Sequence, residues 1–490
     1  MKIFGSYGVI NDVMKLLLAQ TSWGAQAYED CSYPLGPDNT TGGTFNATDY
    51  NMDIVFKNNR ACPTASPSTG ANFSTGIPQT LTDIGTGTQL IENVNFRPWE
   101  PVAPNVKPYR QHEYVLGADY QITPGLAFEA RYDRRRLDHV IEDASLSDKV
   151  WGEIYSVVNP GEGVNSTFDG YATFLASLGQ GFGLTGEGYA FSDTTDWGPG
   201  AAFGTCPSCP AMPKAIRNYD GLEFRLTMAP NKGFTGMLSY TYSSLWGNYA
   251  GLTTTDQTDG GITGRNSPDT TRSFDEPFYY FGANGKSNAG PLPTDRPNVI
   301  KTNLAYTLPW KRNSANFGLF QQFLQGSPVS SWIDLAHGAS NTSPYEATYI
   351  YGRGNWVNMT TDSSGNITLG TPAARRTPWF TQTDFNLGDE IKTGDHQAIR
   401  FEATALNLLN QRAVTAYWAG MDSMNFSTPI SPGGSNLYAG APLYQAVEGG
   451  YDPTSLINIP GAGVVKNSQY GQPYLYQISR SIRFGLRYTF

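Results

Sequence analysis

Segments of about 12–18 residues in which apolar and polar positions strictly alternate recur along this chain, separated by irregular stretches rich in Gly, Asn, Ser, Thr and Pro. The last is the clearest. Ile482, Phe484, Leu486, Tyr488 and Phe490 share one face, while Arg483, Gly485, Arg487 and Thr489 share the other. Period two is the signature of a strand with one apolar and one polar side. A single such strand suits a soluble sandwich equally well, but the pattern repeats. Tyr114, Leu116, Ala118, Tyr120 and Ile122 alternate with Glu113, Gly117, Asp119 and Gln121; Leu126, Phe128, Ala130 and Tyr132 alternate with Glu129, Arg131 and Asp133. Leu222, Phe224, Leu226 and Met228 oppose Glu223, Arg225 and Thr227. Phe234, Gly236, Leu238, Tyr240 and Tyr242 oppose Thr235, Ser239, Thr241 and Ser243. Thr302, Leu304, Tyr306 and Leu308 oppose Lys301 and Asn303, and Ile399, Phe401, Ala403 and Ala405 oppose Arg400, Glu402 and Thr404. Phe317–Phe323 and Thr381–Leu387 are strand-like with looser alternation.

The connections carry a second signal. Thr123-Pro124-Gly125, Pro230 to Gly233, Lys311–Ala315 and Thr393–His396 are short polar turns. The other links are long, covering roughly residues 19–109, 143–214, 251–295, 334–374 and 413–475. Short and long links alternate throughout. This is the plan of a transmembrane barrel, with tight periplasmic turns and extended extracellular loops. The fold class expected is therefore all-β, an antiparallel transmembrane β-barrel segment of about ten up-and-down strands over residues 1–490. Its first strand is expected near Lys2–Leu18 and its last near Tyr476–Phe490.

Composition agrees. Gly 54, Pro 32, Tyr 29, Phe 25 and Trp 10 suit twisted strands joined by turns. Charged residues are 15% of the chain, sparse for a soluble surface and natural where one face meets lipid. Lys+Arg 33 against Asp+Glu 42 argues against nucleic acid as a partner, which needs a basic surface. No run approaches the ~18 apolar residues of a spanning helix, so any membrane crossing is by strands. Met1-Lys2, Ile3–Ile10 and Ala25-Gln26-Ala27 imitate a signal peptide. Asp12 and Lys15 interrupt the apolar stretch, however, and a strand is the preferred reading.

Candidate chemistry is thin. Cys206 and Cys209 form a Cys-x-x-Cys, but His112, His139, His337 and His396 lie in unrelated segments, and a proline follows each cysteine. An even count in an exported context favours loop-stapling disulfides, Cys31–Cys62 and Cys206–Cys209. Asp193 with Asp196, and Asp256 with Asp259, match no EF-hand and are read as solvated loop acids rather than calcium ligands. There is no Gly-x-Ser-x-Gly elbow or His-Glu-x-x-His pair, so no enzyme, cofactor or metal site is expected.

At the residue level the chain resembles the Oar-like TonB-dependent receptors. The likeness rests on Tyr7-Gly8-Val9 with Asp12-Val13-Met14-Lys15, and on Pro104-Asn105-Val106-Lys107-Pro108-Tyr109-Arg110. It continues through Arg131-Tyr132 with Arg136-Leu137-Asp138, Asn159-Pro160-Gly161-Glu162-Gly163 and Tyr219-Asp220-Gly221-Leu222-Glu223. Later segments are Tyr240-Thr241-Tyr242-Ser243 with Gly247-Asn248-Tyr249, Leu292-Pro293-Thr294-Asp295-Arg296-Pro297, Asn407-Leu408-Leu409-Asn410-Gln411 and the closing Phe484–Phe490. The resemblance implies a barrel of roughly 22 strands with an N-terminal plug in its lumen, read by TonB. It implies residence in the outer membrane of a Gram-negative-type bacterium. This sequence shows no plug and no TonB box, so it is expected to be the C-terminal barrel part, from a truncated gene or a split reading frame. TonB is then a partner only through the missing plug region.

Lumen-facing candidates are Glu113, Asp119, Glu129, Arg131, Glu223, Arg225, Arg400, Glu402, Arg483 and Arg487. They either line a solute path or simply cross-pair between strands, and the second reading is preferred. Ile482, Phe484, Leu486, Tyr488 and Phe490 are the expected signal for the barrel-assembly machinery, on a strand that also meets outer-membrane lipid. Tyr240, Tyr242, Trp246, Tyr306, Trp310 and Trp379 are candidates for interfacial aromatic girdles. The extracellular ligand is not specified: the polar, aromatic loops suit glycans, peptides or metal chelates alike. A non-transporting surface protein and a self-contained pore are the competing readings.

Overall fold

The computed structural model describes residues 1–12, 29–30, 90–91, 102–148, 152–181, 209–251, 274, 288–310, 313–336, 345–394, 396–421, 454, 457 and 466–490. Two compact units emerge: residues 1–13 with 103–490, and residues 14–102. The second contributes a short antiparallel pair, Glu29–Asp30 with Leu90–Ile91.

The first unit is organised by one large antiparallel sheet. Its ten long strands are β1 (Lys2–Asp12), β2 (Tyr109–Thr123), β3 (Leu126–His139), β4 (Arg217–Asn231) and β5 (Phe234–Gly247). They continue as β6 (Asn298–Trp310), β7 (Asn313–Leu324), β8 (Phe380–Lys392), β9 (Ala398–Leu406) and β10 (Ser481–Thr489). Each pairs with the next in chain order, and Gly290–Pro291 adds a short member beside β5. The sheet is open: β1 and β10 are its edges.

Every tight connection lies at one end. At the β4–β5 turn Lys232 and Gly233 have φ of 50° and 84°, both in the left-handed region that a two-residue hairpin requires. Glycine is needed there for a second reason. Thr307 N donates to Gly233 O at 2.7 Å, and a Cβ on Gly233 would lie 2.2 Å from Thr307 O.

The register carries one apolar side from β2 to β10. Leu116, Tyr132, Leu222 and Tyr242 are mutually opposed, as are Phe128, Leu226, Leu238 and Thr302. Leu304, Leu319, Phe385, Ala405 and Ile482 continue the apolar side to the far edge. Because side chains alternate along a strand, the other face collects the polar residues by the same register. The apolar face stays open rather than packed: Leu116 is 62% exposed and Phe484 82%. On β2 it runs from Tyr114 to Ile122, about the 9–11 residues that cross a bilayer as a tilted strand. At the long-connection end charge replaces it: Tyr114, Arg134 and Asp220 are opposed in register. Tyr132 lies at this boundary, its hydroxyl donating to Asp220 Oδ1 at 2.5 Å. That is the placement expected of an aromatic at a lipid–water interface.

The first strand is described from Lys2 to Asp12, and the rest of its expected extent, residues 13–18, lies outside the described residues. Two other sequence expectations are corrected. The last strand begins at Ser481 rather than Tyr476, because Pro473–Tyr476 pairs instead with Val414–Tyr417. The intervening residues are tied to a turn: Asn407 Nδ2 donates to Ile478 O at 2.9 Å, and Arg480 N to Asn410 Oδ1 at 3.1 Å.

The second correction concerns the long connections, expected to be irregular. They hold the main buried core among the described residues. A hairpin, Glu142–Asp148 with Gly152–Val158, is followed by helix α1 (Phe168–Gly181). Thr167 caps the helix, its Oγ1 accepting from Gly170 N at 3.0 Å, and Asp169 in the first turn suits the helix dipole. Phe168, Tyr171 and Leu175 share one helical face and are fully buried, packed in a cluster with Val140, Val158, Tyr249, Ile333, Val357 and Met421. Several long connections therefore fold together into one cap.

Candidate functional site

Polar-face charges meet in register. Arg131 reaches Glu223 at 2.5 Å, Arg135 reaches Glu113 at 2.7 Å, and Arg225 pairs with Glu129. The residues of the first and third pairs are directly opposed on β3 and β4, and those of the second on β2 and β3. Each cross-strand pair contributes roughly 0.2–1 kcal/mol, so their main effect is to fix register. Asp119 sits opposite Lys2 and Glu129. Arg400 bonds Glu402 along its own strand at 2.6 Å. Arg483 and Arg487 stand on the polar face of the edge strand, opposite Thr404 and Arg400. All ten sequence-predicted lumen candidates thus share one face.

The terminal aromatics take the other face of β10. Ile482, Phe484, Leu486 and Tyr488 are exposed there, and Tyr488 stacks on Phe490 at 5.8 Å. Cys209 is disulfide-bonded; Cys31, Cys62 and Cys206 lie outside the described residues, as do Asp193, Asp196, Asp256 and Asp259. Among the described residues no group of three or more His, Cys, Asp or Glu is placed to hold a metal ion. No described helix is long and apolar enough to cross a membrane.

Where strands leave the sheet, their backbone groups lose ladder partners and must find others. Junction side chains supply them. Asn159, buried, accepts from Lys107 N at 2.6 Å and donates to Lys107 O and Val140 O, clamping the entry to β2 against the exit of β3. Asp295 accepts from Leu245 N at 2.7 Å and pairs with Arg376 at 2.5 Å. Asn407 N donates to Asp384 Oδ1 at 2.7 Å, while Gln411 Oε1 accepts from Thr383 N at 3.0 Å. Asn159, Asp295, Asn407 and Gln411 come from the segments that carried the family resemblance, so part of that likeness marks strand–loop junctions.

One such junction is strongly charged. Glu162 accepts from Lys107 Nζ at 2.8 Å, Lys214 Nζ at 3.1 Å and His139 Nδ1 at 2.8 Å. Arg110 donates to His139 Nε2 at 3.1 Å. Since guanidinium only donates, these partners assign the Nδ1–H tautomer of His139. Burial raises the Glu162 pKa, but bonds from Lys107, His139 and Lys214 outweigh it and hold the carboxyl below its ordinary 4.5. A depressed carboxylate stabilises fully above its unfolded pKa and loses that contribution as pH falls through the folded value. Protease resistance of the cap should hold at pH 7 and fail below about pH 4.5, and Glu162→Gln should weaken it at pH 7 while flattening the acid dependence. An unaltered acid transition in Glu162→Gln would contradict this assignment.

Sequence reading missed Glu162, His139 and Arg135. It also missed a stack in the long connections where Arg375 lies 4.1 Å from the Trp356 ring centre and 4.4 Å from that of Tyr417. Such pairings are set by long-range contacts and leave no local period.

No family model matches the chain. It is 24% identical over 406 residues to TonB-dependent transporter Oar of Myxococcus xanthus, covering 80% of this chain and 29% of that protein. The chain thus spans less than a third of the curated relative it matches. Among solved structures it is similar to the P. aeruginosa FpvA bound to heterologous pyoverdines, at TM-score 0.27 and 8% identity over 64% of this chain and 25% of that one. It is also similar to the outer membrane transporter YddB from Escherichia coli, at TM-score 0.33 and 10% identity over 67% of this chain and 32% of that one. Overlays at these scores add nothing to the topology described above.

Proposed function

We propose that this chain, a sequence relative of the TonB-dependent transporters, is the C-terminal barrel part of an outer-membrane receptor that binds and imports a large ligand when complete. The supporting observation is the apolar side carried in register from β2 to β10, in a ten-stranded sheet whose tight turns all lie at one end. The exposed apolar face meets lipid, and the polar face lines the lumen. The tight turns are periplasmic, and the cap is extracellular. TonB acts through an N-terminal plug region, and the extracellular ligand is captured on the cap or in the lumen beneath it. No catalytic step is assigned to this chain.

The alternating terminal strand ending at Phe490 is the recognition signal for the barrel-assembly machinery. Deleting Phe490 from the intact receptor should lower its level in the outer-membrane fraction several-fold, with the precursor accumulating in the periplasm. Unchanged outer-membrane levels would remove this assignment. Protease added to whole cells should cleave the cap and spare the tight turns; the reverse pattern would overturn the orientation.

A further inference from the structure

We infer that the free edge of β10 is built to receive a strand carrying two carboxylates four residues apart on its lumenal face, and that β1 of this chain is not that strand. The inference rests on the partial-barrel reading above. Within the sheet the polar-face arginines follow one rule. Arg131 lies opposite Glu223, Arg135 opposite Glu113, Arg225 opposite Glu129 and Arg400 opposite Glu390. Arg217 departs from it at the long-connection end of β4, where it bonds the carbonyl of Ala250.

β10 breaks the rule on its inner side. Arg483 faces Thr404, and Arg487 faces Arg400. Like charges directly opposed destabilise a sheet, so this arrangement calls for compensation from another direction. The one carboxylate on the polar face of β9 is Glu402, and Arg400 engages it at 2.6 Å. Glu402 lies opposite Gly485, diagonal to Arg483 and Arg487, so one carboxylate is shared among three arginines on this side. Further compensation is left to the outer side, on the strand that pairs with β10. To serve both arginines it must present its carboxylates with their own spacing of four residues, since opposed residues keep step along antiparallel strands.

β1 lacks this pattern. Its polar-face residues, in register with Asp119, Gly117, Val115, Glu113, Gln111 and Tyr109, are Lys2, Phe4, Ser6, Gly8, Ile10 and Asp12. Asp12 is the one acid, so no register of β1 satisfies both arginines. A register that sets Asp12 against Arg483 leaves Arg487 facing Gly8. A second copy of the chain offers the same β1 and fails for the same reason. The occupant is an acidic strand from outside the ten described here.

The test uses the full chain folded into phosphatidylcholine vesicles in the presence of one of two synthetic strand peptides. Both alternate valine with polar residues and carry a photocrosslinker; one bears two glutamates four residues apart, the other two lysines. The acidic peptide should crosslink to β10 about tenfold more than the basic one. Combining Arg483→Glu with Arg487→Glu should invert that preference. Equal labelling by both peptides, absence of labelling by either, or a preference untouched by the double reversal would overturn the inference alone. A Ser6→Cys, Gly485→Cys pair distinguishes the deeper failure. Efficient disulfide formation within one chain would show β1 closing on β10, and would remove the partial-barrel reading together with this one. Its absence, with the acidic preference present, upholds both.

Discussion

Leu238→Arg should destabilise the chain folded in a bilayer by about 2–4 kcal/mol, the range for a cation placed on the lipid face near the midplane of a barrel. Leu238 is exposed, and its register neighbours are Leu226 on β4 and Thr302 on β6. A guanidinium there finds neither water nor a carboxylate. Thr241→Arg, three residues along and on the other face, should change stability by less than about 1 kcal/mol, because it meets water and lies opposite Glu223. Urea titration of the two variants in vesicles, followed by tryptophan fluorescence, measures the difference. Equal losses for both would mean that the two faces do not differ in solvent.

Phe168→Ala should cost about 3–5 kcal/mol, the range for removing a buried aromatic. The loss should fall on the cap and spare the sheet. Phe168 is 1% exposed and packs in the cluster held by α1 and neighbouring connections. Tyr171, beside it, bonds Ser156 Oγ at 2.9 Å and the carbonyl of Ala144, tying the helix to both strands of the hairpin. Losing the helix contact should therefore free the hairpin as well. The strands beneath draw their stability from backbone ladders shared with a strand on either side. Amide exchange should accelerate over residues 142–158 and stay unchanged in β4 and β5. Acceleration of equal size in the sheet would show that cap and sheet unfold as one.

The strands were legible because their signal is local. Strict alternation over Tyr114–Ile122 or Ile482–Phe490 fixes both the element and its faces, and neighbours on the same face then had to match. Strand ends were less legible, since they are decided by partners far away in sequence. Pro473–Tyr476 alternates well enough to extend β10, but Val414–Tyr417 captures it. The cap was hidden for a related reason. Phe168, Tyr171 and Leu175 carry a helical spacing, yet Gly170, Gly179 and Gly181 surround them, and the partners that make the spacing useful lie as far off as Met421. Of the candidate site, the charges were legible one by one, as polar positions on alternating strands. Their pairing was not, because Arg131 and Glu223 meet only once β3 and β4 are in register. Glu162 gave no period at all; its role comes from two lysines and a histidine delivered by three separate segments.

Single-cysteine labelling along β5 decides whether this sheet stands in a membrane with one wet and one lipid face. Each position from Phe234 to Tyr242 is replaced in turn, the chain is folded into vesicles, and a charged maleimide is added with access to both sides. Thr235, Ser239 and Thr241 should label readily, and Gly236, Leu238 and Tyr240 should resist, in strict alternation. Uniform labelling along the strand, or an alternation of the opposite phase, would contradict the assignment of the apolar face to lipid.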